Sequence, residues 1–276
     1  MSRPSISCPS RRLGIAALAA LLAACNSDAQ DGARGASPLT VGRRTPEFVV
    51  DVVREFPHDT AAFTQGLLWH DGALYEGTGE VGRSSIRRVT LETGAVEQRR
   101  DVPAPYFGEG IAILGDRLFQ LTWKNGVAFV YDRRTFAPRG EFRYPGEGWG
   151  LTTDGTRLVM SDGTATLRFL DPDTFDTLRT VTVTENGSPV RYLNELEWIK
   201  GEVWANVWTR DRIARIDPQS GAVVGWIDLT GLLPASWRTG AEDVLNGIAY
   251  DAAGDRLFVT GKKWARLYQV SLRPRD

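Results

Sequence analysis

A strand–turn–strand unit recurs along this chain with a period of roughly 40 to 50 residues, and that repeat narrows the possible folds more than any other feature. Its first strands open on Phe63-Thr64-Gln65-Gly66-Leu67, Tyr106-Phe107-Gly108-Glu109-Gly110, Gly148-Trp149-Gly150-Leu151, Leu193-Asn194-Glu195-Leu196 and Leu245-Asn246-Gly247-Ile248. Its second strands align as Leu74-Tyr75, Leu118-Phe119, Leu158-Val159, Val203-Trp204 and Leu257-Phe258. Third strands often end in an Asp and a turn, as at Asp132, Asp171 and Asp217. Turn signals such as Asp71-Gly72, Asp154-Gly155 and Lys200-Gly201 separate the strands, and no segment sustains a helical period. The pattern predicts an all-β chain, a propeller of about five blades. A β-sandwich would have equally short strands but not the repeat.

The last unit runs out after its third strand, Arg266 to Leu272, whereas a spare strand, Phe48 to Val53, precedes the first. Pairing the spare strand into the last blade would close the ring and remove two exposed edges.

The N-terminal residues stand apart from the repeat. Arg3, Arg11 and Arg12 precede an apolar run, Leu13 to Leu22, that is too short to span a membrane. Leu22-Ala23-Ala24-Cys25 follows, which resembles the lipobox of bacterial lipoproteins; the alternative is an ordinary signal peptide with a chance Cys. The organisation expected is a signal over 1–24, a Gly/Ala/Ser/Asp-rich tether over 25–45 and the propeller over 46–276. Cys8 falls in the signal, so Cys25, the expected lipidation site, would be the one Cys retained. The chain would then be exported, periplasmic and membrane-anchored through that lipid, or soluble in the periplasm if Cys25 is not acylated.

The aligned positions indicate where chemistry could sit. In a blade of antiparallel strands, the start of the first strand and the end of the second lie on one face. The first set is Gln65, Glu109, Trp149, Asn194 and Asn246; the second is Gly79, Trp123, Gly163, Trp208 and Lys262. Both converge on one mouth of a central channel. Packing alone favours small or apolar residues there, yet the sets hold one carboxylate, one ammonium, three indoles and three amides. Trp69, Trp198, Trp204 and Trp226 fall elsewhere in the repeat and are expected to pack between blades. Glu109, flanked by glycines and walled by indoles, should have its pKa raised by desolvation, which suits proton transfer near neutral pH.

Absences narrow the chemistry further. The histidines are His58 and His70, on different segments, a poor basis for a zinc site or a Ser-His-Asp triad. There is no P-loop or dinucleotide fingerprint. The formal net charge of −1, without a basic stripe, argues against nucleic acid.

Across nearly the whole mature domain the sequence resembles the plant-type glutaminyl-peptide cyclotransferases, a family with bacterial members. The likeness is carried by Phe63-Thr64-Gln65-Gly66, Gly82-Arg83-Ser84-Ser85, Tyr106-Phe107-Gly108-Glu109-Gly110, Tyr131-Asp132-Arg133-Arg134, Gly148-Trp149-Gly150-Leu151, Leu193-Asn194-Glu195-Leu196-Glu197, Glu202-Val203-Trp204-Ala205-Asn206, Val244-Leu245-Asn246-Gly247-Ile248-Ala249 and Phe258-Val259-Thr260-Gly261-Lys262. The lipobox and tether lie outside it. The resemblance implies a five-bladed propeller that converts N-terminal Gln of peptides or proteins to pyroglutamate and releases ammonia. It implies Glu109 as the catalytic acid/base, and a pocket of Phe63, Gln65, Phe107, Trp123, Trp149, Asn194, Trp208 and Lys262. Lys262 is the second candidate catalytic residue, either steadying an oxyanion or orienting Glu109. No cofactor is implied, although a structural cation in the channel is left open, and a monomer is expected. Two rival readings remain. One is a non-enzymatic propeller lipoprotein serving as envelope scaffold or binding module. The other is a glycosidase, which needs paired carboxylates; Glu195 and Glu197 are the nearest candidates for a partner acid.

Overall fold

In the computed structural model, which describes residues 44–275, the hairpin turns form where the residue types demand them. Asp71 and Gly72 both take positive φ, 48° and 80°, and Lys200 and Gly201 do the same at 50° and 87°. Two consecutive left-handed residues twist in the sense that matches two antiparallel strands.

All the strands but β1 and the short pair β14 and β15 follow the repeat. β2 (Thr64–His70), β3 (Ala73–Thr78), β4 (Ser85–Val89) and β5 (Val96–Asp101) pair in that order as an antiparallel meander. So do β6 (Gly108–Leu114), β7 (Arg117–Thr122), β8 (Val127–Asp132) and β9 (Pro138–Arg143). A third meander comprises β10 (Leu151–Thr153), β11 (Leu158–Met160), β12 (Thr166–Leu170) and β13 (Thr177–Thr182). A small hairpin follows, β14 (Thr184–Glu185) with β15 (Ser188–Pro189). Then come β16 (Leu193–Ile199), β17 (Glu202–Val207), β18 (Arg212–Ile216) and β19 (Val223–Asp228), and finally β20 (Leu245–Asp251), β21 (Arg256–Gly261) and β22 (Arg266–Pro274). One 3-10 turn, Ala235–Trp237, is the sole helical element among the described residues.

The spare strand, β1 (Glu47–Pro57), is longer than the sequence suggests and has two partners. It runs antiparallel to β22 from Phe48 opposite Pro274 to Pro57 opposite Arg266, with a register shift between Val52 and Arg54. It also runs parallel to β19, with Glu47 opposite Trp226 and Val49 opposite Asp228. β1 thus joins the last two groups into one eight-stranded sheet.

Burial falls from the first strand of each meander to the last. β2, β3, β6 and β7 are buried almost throughout, while β5 and β9 face solvent along most of their length. The first strands contact one another in succession, β2 to β6 to β10 to β16 to β20 and back to β2. Glycines permit that approach. A Cβ on Gly110 would lie 2.5 Å from Leu151 N, and one on Gly150 would lie 1.9 Å from Asn194 O. Apolar side chains fill the space between neighbouring sheets. Phe56, Leu67 and Leu74 meet Phe258 and Leu267 in one such layer, with Trp69 stacked on Phe258 at 5.6 Å. Burying each side chain of that size contributes about 1.5–3 kcal/mol. No helix among the described residues is long and apolar enough to cross a membrane. The signal over 1–24, Cys25 and most of the 25–45 tether lie outside the described residues.

Candidate active site

A β-bulge marks the start of most first strands, and the singled-out side chains sit in it. The β2–β3 register shifts between Thr64 and Gly66, around Gln65. The β6–β7 register shifts between Gly108 and Ile111, around Glu109. The same happens between Leu193 and Leu196 at Asn194, and between Leu245 and Ile248 at Asn246. A bulge carries one residue with no opposite number and re-aims it out of the ladder. Three of these four side chains point into one cavity; Asn246 is the exception.

That cavity has a volume of about 290 Å³ and is lined by Phe63, Gln65, Phe107, Glu109, Trp123, Trp149, Asn194, Trp208, Asp243 and Lys262. All nine catalytic or pocket positions named from sequence are therefore brought together. Gln65, Glu109, Asn194 and Lys262 are buried, whereas Trp208 is 39% exposed and forms the rim. The aromatic walls pack edge to face. Phe63 meets Phe107 at 5.9 Å, Phe107 meets Trp123 at 5.7 Å, and Trp149 meets Trp208 at 5.7 Å. Two aligned glycines back these rings. A Cβ on Gly79 would lie 2.3 Å from the Phe107 ring, and one on Gly163 would lie 2.7 Å from the Trp149 ring.

Glu109 is held by a single amide. Gln65 Nε2 donates to Glu109 Oε1 at 2.9 Å. Burial pushes the Glu109 carboxyl well above the usual carboxylate range; Lys262 opposes that shift and Glu147 adds to it. Lys262 moves the other way. Burial lowers its pKa, and the charges of Glu109 and Asp243 counter only part of the effect. Its ammonium lies 4.7 Å from the Phe63 ring centroid and, among the described residues, has no carboxylate within ion-pair distance. The cavity thus contains an acid that resists ionising and a cation without a close counter-ion. Desolvation dominates both.

The acids considered as partners for Glu109 are placed elsewhere. Glu195 Oε1 accepts from Leu67 N at 3.2 Å and Oε2 from Ile248 N at 2.9 Å, tying β16 to β2 and β20. Glu197 accepts from Tyr250 N at 3.0 Å and lines a separate cavity with His70, Trp198 and Tyr250. Of the tryptophans expected to pack between blades, Trp204 and Trp226 are buried in apolar clusters.

Sequence reasoning passed over two residues near the cavity, Asp243 and Glu147, and aligned a third, Asn246, with the channel mouth. Asn246 lies beneath it, where its Nδ2 donates to Thr64 O at 2.9 Å and to Gln65 Oε1 at 3.2 Å, fixing the Gln65 amide. Asp243 reaches the mouth from the loop before β20, a segment outside the repeat alignment; its N–H donates to Lys262 O and its carbonyl accepts from Trp264 Nε1. Glu147 accepts the indole N–H groups of both Trp123 and Trp149. A signal for Glu147 was present, since Gly146-Glu147-Gly148 repeats the carboxylate-between-glycines pattern of Glu109. Among the described residues no three His, Cys, Asp or Glu side chains are grouped to hold a metal ion.

Comparison with known proteins adds an independent line. A family model described as glutamine cyclotransferase matches residues 16–272, beginning within the N-terminal segment that the motif resemblance left out. A glutaminyl-peptide cyclotransferase of Arabidopsis thaliana is 48% identical over 246 residues, covering 88% of this chain and 76% of the relative. The crystal structure of Myxococcus xanthus glutaminyl cyclase superposes with a TM-score of 0.80 at 40% identity, covering 84% of this chain and 100% of that one.

Proposed function

The chain belongs to the glutamine cyclotransferase family, and we propose that it cyclises N-terminal glutamine of peptides or proteins to pyroglutamate with Glu109 as the acid/base. One observation carries the mechanistic part. The cavity buries a single carboxylate, Glu109, of raised pKa among aromatic walls, the other lining acid, Asp243, being exposed.

The chemistry is an intramolecular aminolysis. The neutral α-amine attacks Cδ of the glutamine carboxamide, a five-membered ring closes, the Cδ–N bond breaks and ammonia leaves. One proton must move from the attacking nitrogen to the departing one. Glu109 as carboxylate takes it and then returns it to the leaving group, a relay typically worth about 10²–10⁴-fold. The nucleophile is already tethered to the electrophile, so the protein mainly folds the side chain back and excludes water. Trp123, Trp149 and Trp208 wall the side chain. Asn194 holds a peptide or amide group, and Lys262 stabilises charge developing on the carboxamide oxygen.

The rival readings draw less support. A scaffold has no use for a buried acid at its mouth. A glycosidase needs two facing carboxylates, but Glu195 and Glu197 are spent on backbone contacts or face another cavity. The decisive experiment is incubation with a Gln-initiated dipeptide and an ammonia-coupled readout. No ammonia release from folded protein would reject the proposal.

The architecture we infer is a five-bladed propeller. Three four-stranded meanders and the two halves of the eight-stranded sheet would be its blades, with β1 completing the last beside β20, β21 and β22. We also propose, on the Leu22-Ala23-Ala24-Cys25 motif, an exported monomer anchored through lipid on Cys25. Cys25→Ser should release it from the membrane fraction or block processing, and unchanged fractionation would reject the anchor.

A further inference from the structure

Glu147 lies on the short segment between β9 and Trp149, flanked by Gly146 and Gly148. One of its oxygens serves two indoles. Oε2 accepts the N–H of Trp123 at 2.7 Å and the N–H of Trp149 at 3.0 Å. Oε1 faces Lys124 Nζ at 4.0 Å, and that ammonium lies 3.9 Å from the Trp123 ring centroid. The indoles belong to different sheets, Trp123 just past the end of β7 and Trp149 just before β10. The backbone repeats the link, since Gly148 N donates to Trp123 O at 3.0 Å.

An indole has one donor and no acceptor, so its single hydrogen bond decides which way the ring faces. Bonds to an ionised acceptor are shorter and stronger than neutral ones. A single oxygen taking both N–H groups couples the two rings into one wall. We propose that Glu147 is a positioning residue, locking the Trp123 and Trp149 indoles into a preformed wall against which the substrate glutamine side chain folds back. This rests on the cyclotransferase reading above.

The same carboxylate acts on Glu109 at a distance. The groups facing Glu109 are the neutral Gln65 amide, the Lys262 ammonium, the Glu147 carboxylate and the Tyr144 phenol, which donates to Thr122 O. Lys124 offsets part of the Glu147 charge. Replacing Glu147 by an amide keeps an oxygen for both indoles and removes the charge. Geometry and electrostatics can therefore be separated.

The test compares Glu147→Ala and Glu147→Gln by near-UV circular dichroism of the free protein and by steady-state kinetics on a Gln dipeptide. Glu147→Ala should alter the tryptophan dichroism and lower kcat/KM by about tenfold or more, mostly through KM, as expected of a misplaced binding wall. Glu147→Gln should keep the dichroism, recover most of kcat/KM and move the acid limb of the pH profile to lower pH. Wild-type dichroism and kinetics in Glu147→Ala would overturn the proposal, as would Glu147→Gln being as damaged as Glu147→Ala. If Glu147→Ala does not fold, Trp123→Phe and Trp149→Phe each remove one N–H and keep a ring. A raised KM in both supports the lock, and wild-type kinetics in both overturns it. Inactive wild-type protein whose dichroism still responds to Glu147→Ala would reject the cyclotransferase reading while supporting the indole lock.

Discussion

Gln65 donates to Glu109 at 2.9 Å, and its own carbonyl is held from behind by Asn246 at 3.2 Å. The amide is thus oriented before it meets the acid, and it offers Glu109 a neutral donor rather than a charge. Gln65→Glu would place a second carboxylate at hydrogen-bonding distance. Two acids so close share a proton, which raises the pKa for losing it. The acid limb of kcat/KM should move to higher pH, with activity at neutral pH reduced and partly regained in alkali. An unshifted profile would mean the two side chains are apart in the working enzyme.

Lys262 is buried against burial's own penalty, with Glu109 and Asp243 holding its pKa up in part. Lys262→Met removes the cation that keeps Glu109 from rising further, so the acid limb should again move to higher pH. Loss of a charge-stabilising donor should also lower kcat at the optimum by about 10²-fold. Stability should go the other way. A lysine whose folded pKa lies below its unfolded value costs stability at every pH below the folded pKa, and the cost fades as pH rises toward the unfolded value. The variant should therefore melt at or above wild type at neutral pH. Wild-type turnover would remove Lys262 from the reaction.

Glu195 is a structural tie whose two oxygens each accept one backbone N–H, from Leu67 and Ile248. Glu195→Gln presents one acceptor and one donor, so one of those buried N–H groups loses its partner. The expected cost is about 1–3 kcal/mol, seen as a melting midpoint lower by several degrees with kcat nearly unchanged. A large kcat loss without destabilisation would revive Glu195 as a reacting acid.

β1 is paired on both sides, to β22 and to β19. Deletion through Arg54 removes the whole parallel ladder and most of the antiparallel one, leaving only Glu55 to Pro57 opposite β22 and exposing two sheet edges. Deletion through Arg44 removes none of these pairs. The shorter chain should lose its cooperative melt while the longer one keeps it, and equal melts would show that β1 does not close the fold.

Much of this was legible in the sequence because the repeat fixes positions as well as elements. Aligning five strand starts placed Gln65, Glu109, Trp149 and Asn194 together, and the second-strand ends added Trp123, Trp208 and Lys262. What stayed hidden depends on orientation within a bulge. Asn246 occupies the same aligned slot as Asn194, yet it points at Gln65 rather than into the cavity. Asp243 comes from a loop that no alignment constrains. The parallel pairing of β1 with β19 was equally unreadable, because closing the last unit gives the spare strand one partner and nothing in the repeat calls for a second.

Glu109→Gln is the strictest test of the site, because the amide keeps the shape and most of the hydrogen bonding but removes the titrating proton. Turnover should fall by about two or more powers of ten, the usual worth of an acid/base, with substrate still bound. In wild type the acid limb marks protonation of Glu109, so activity falls as pH drops through its raised pKa; that limb should vanish in the variant. Stability provides a second reading. The folded pKa lies well above the ordinary glutamate value of about 4.5, so the stability tied to this proton is complete below about 4.5 and is lost as pH rises through the folded pKa. Removing the ionisation removes that loss. Glu109→Gln should melt like wild type near pH 4 and at a higher temperature in neutral and alkaline solution, a stabilised but inactive protein. A folded variant that cyclises Gln peptides at the wild-type rate would take Glu109 out of the mechanism.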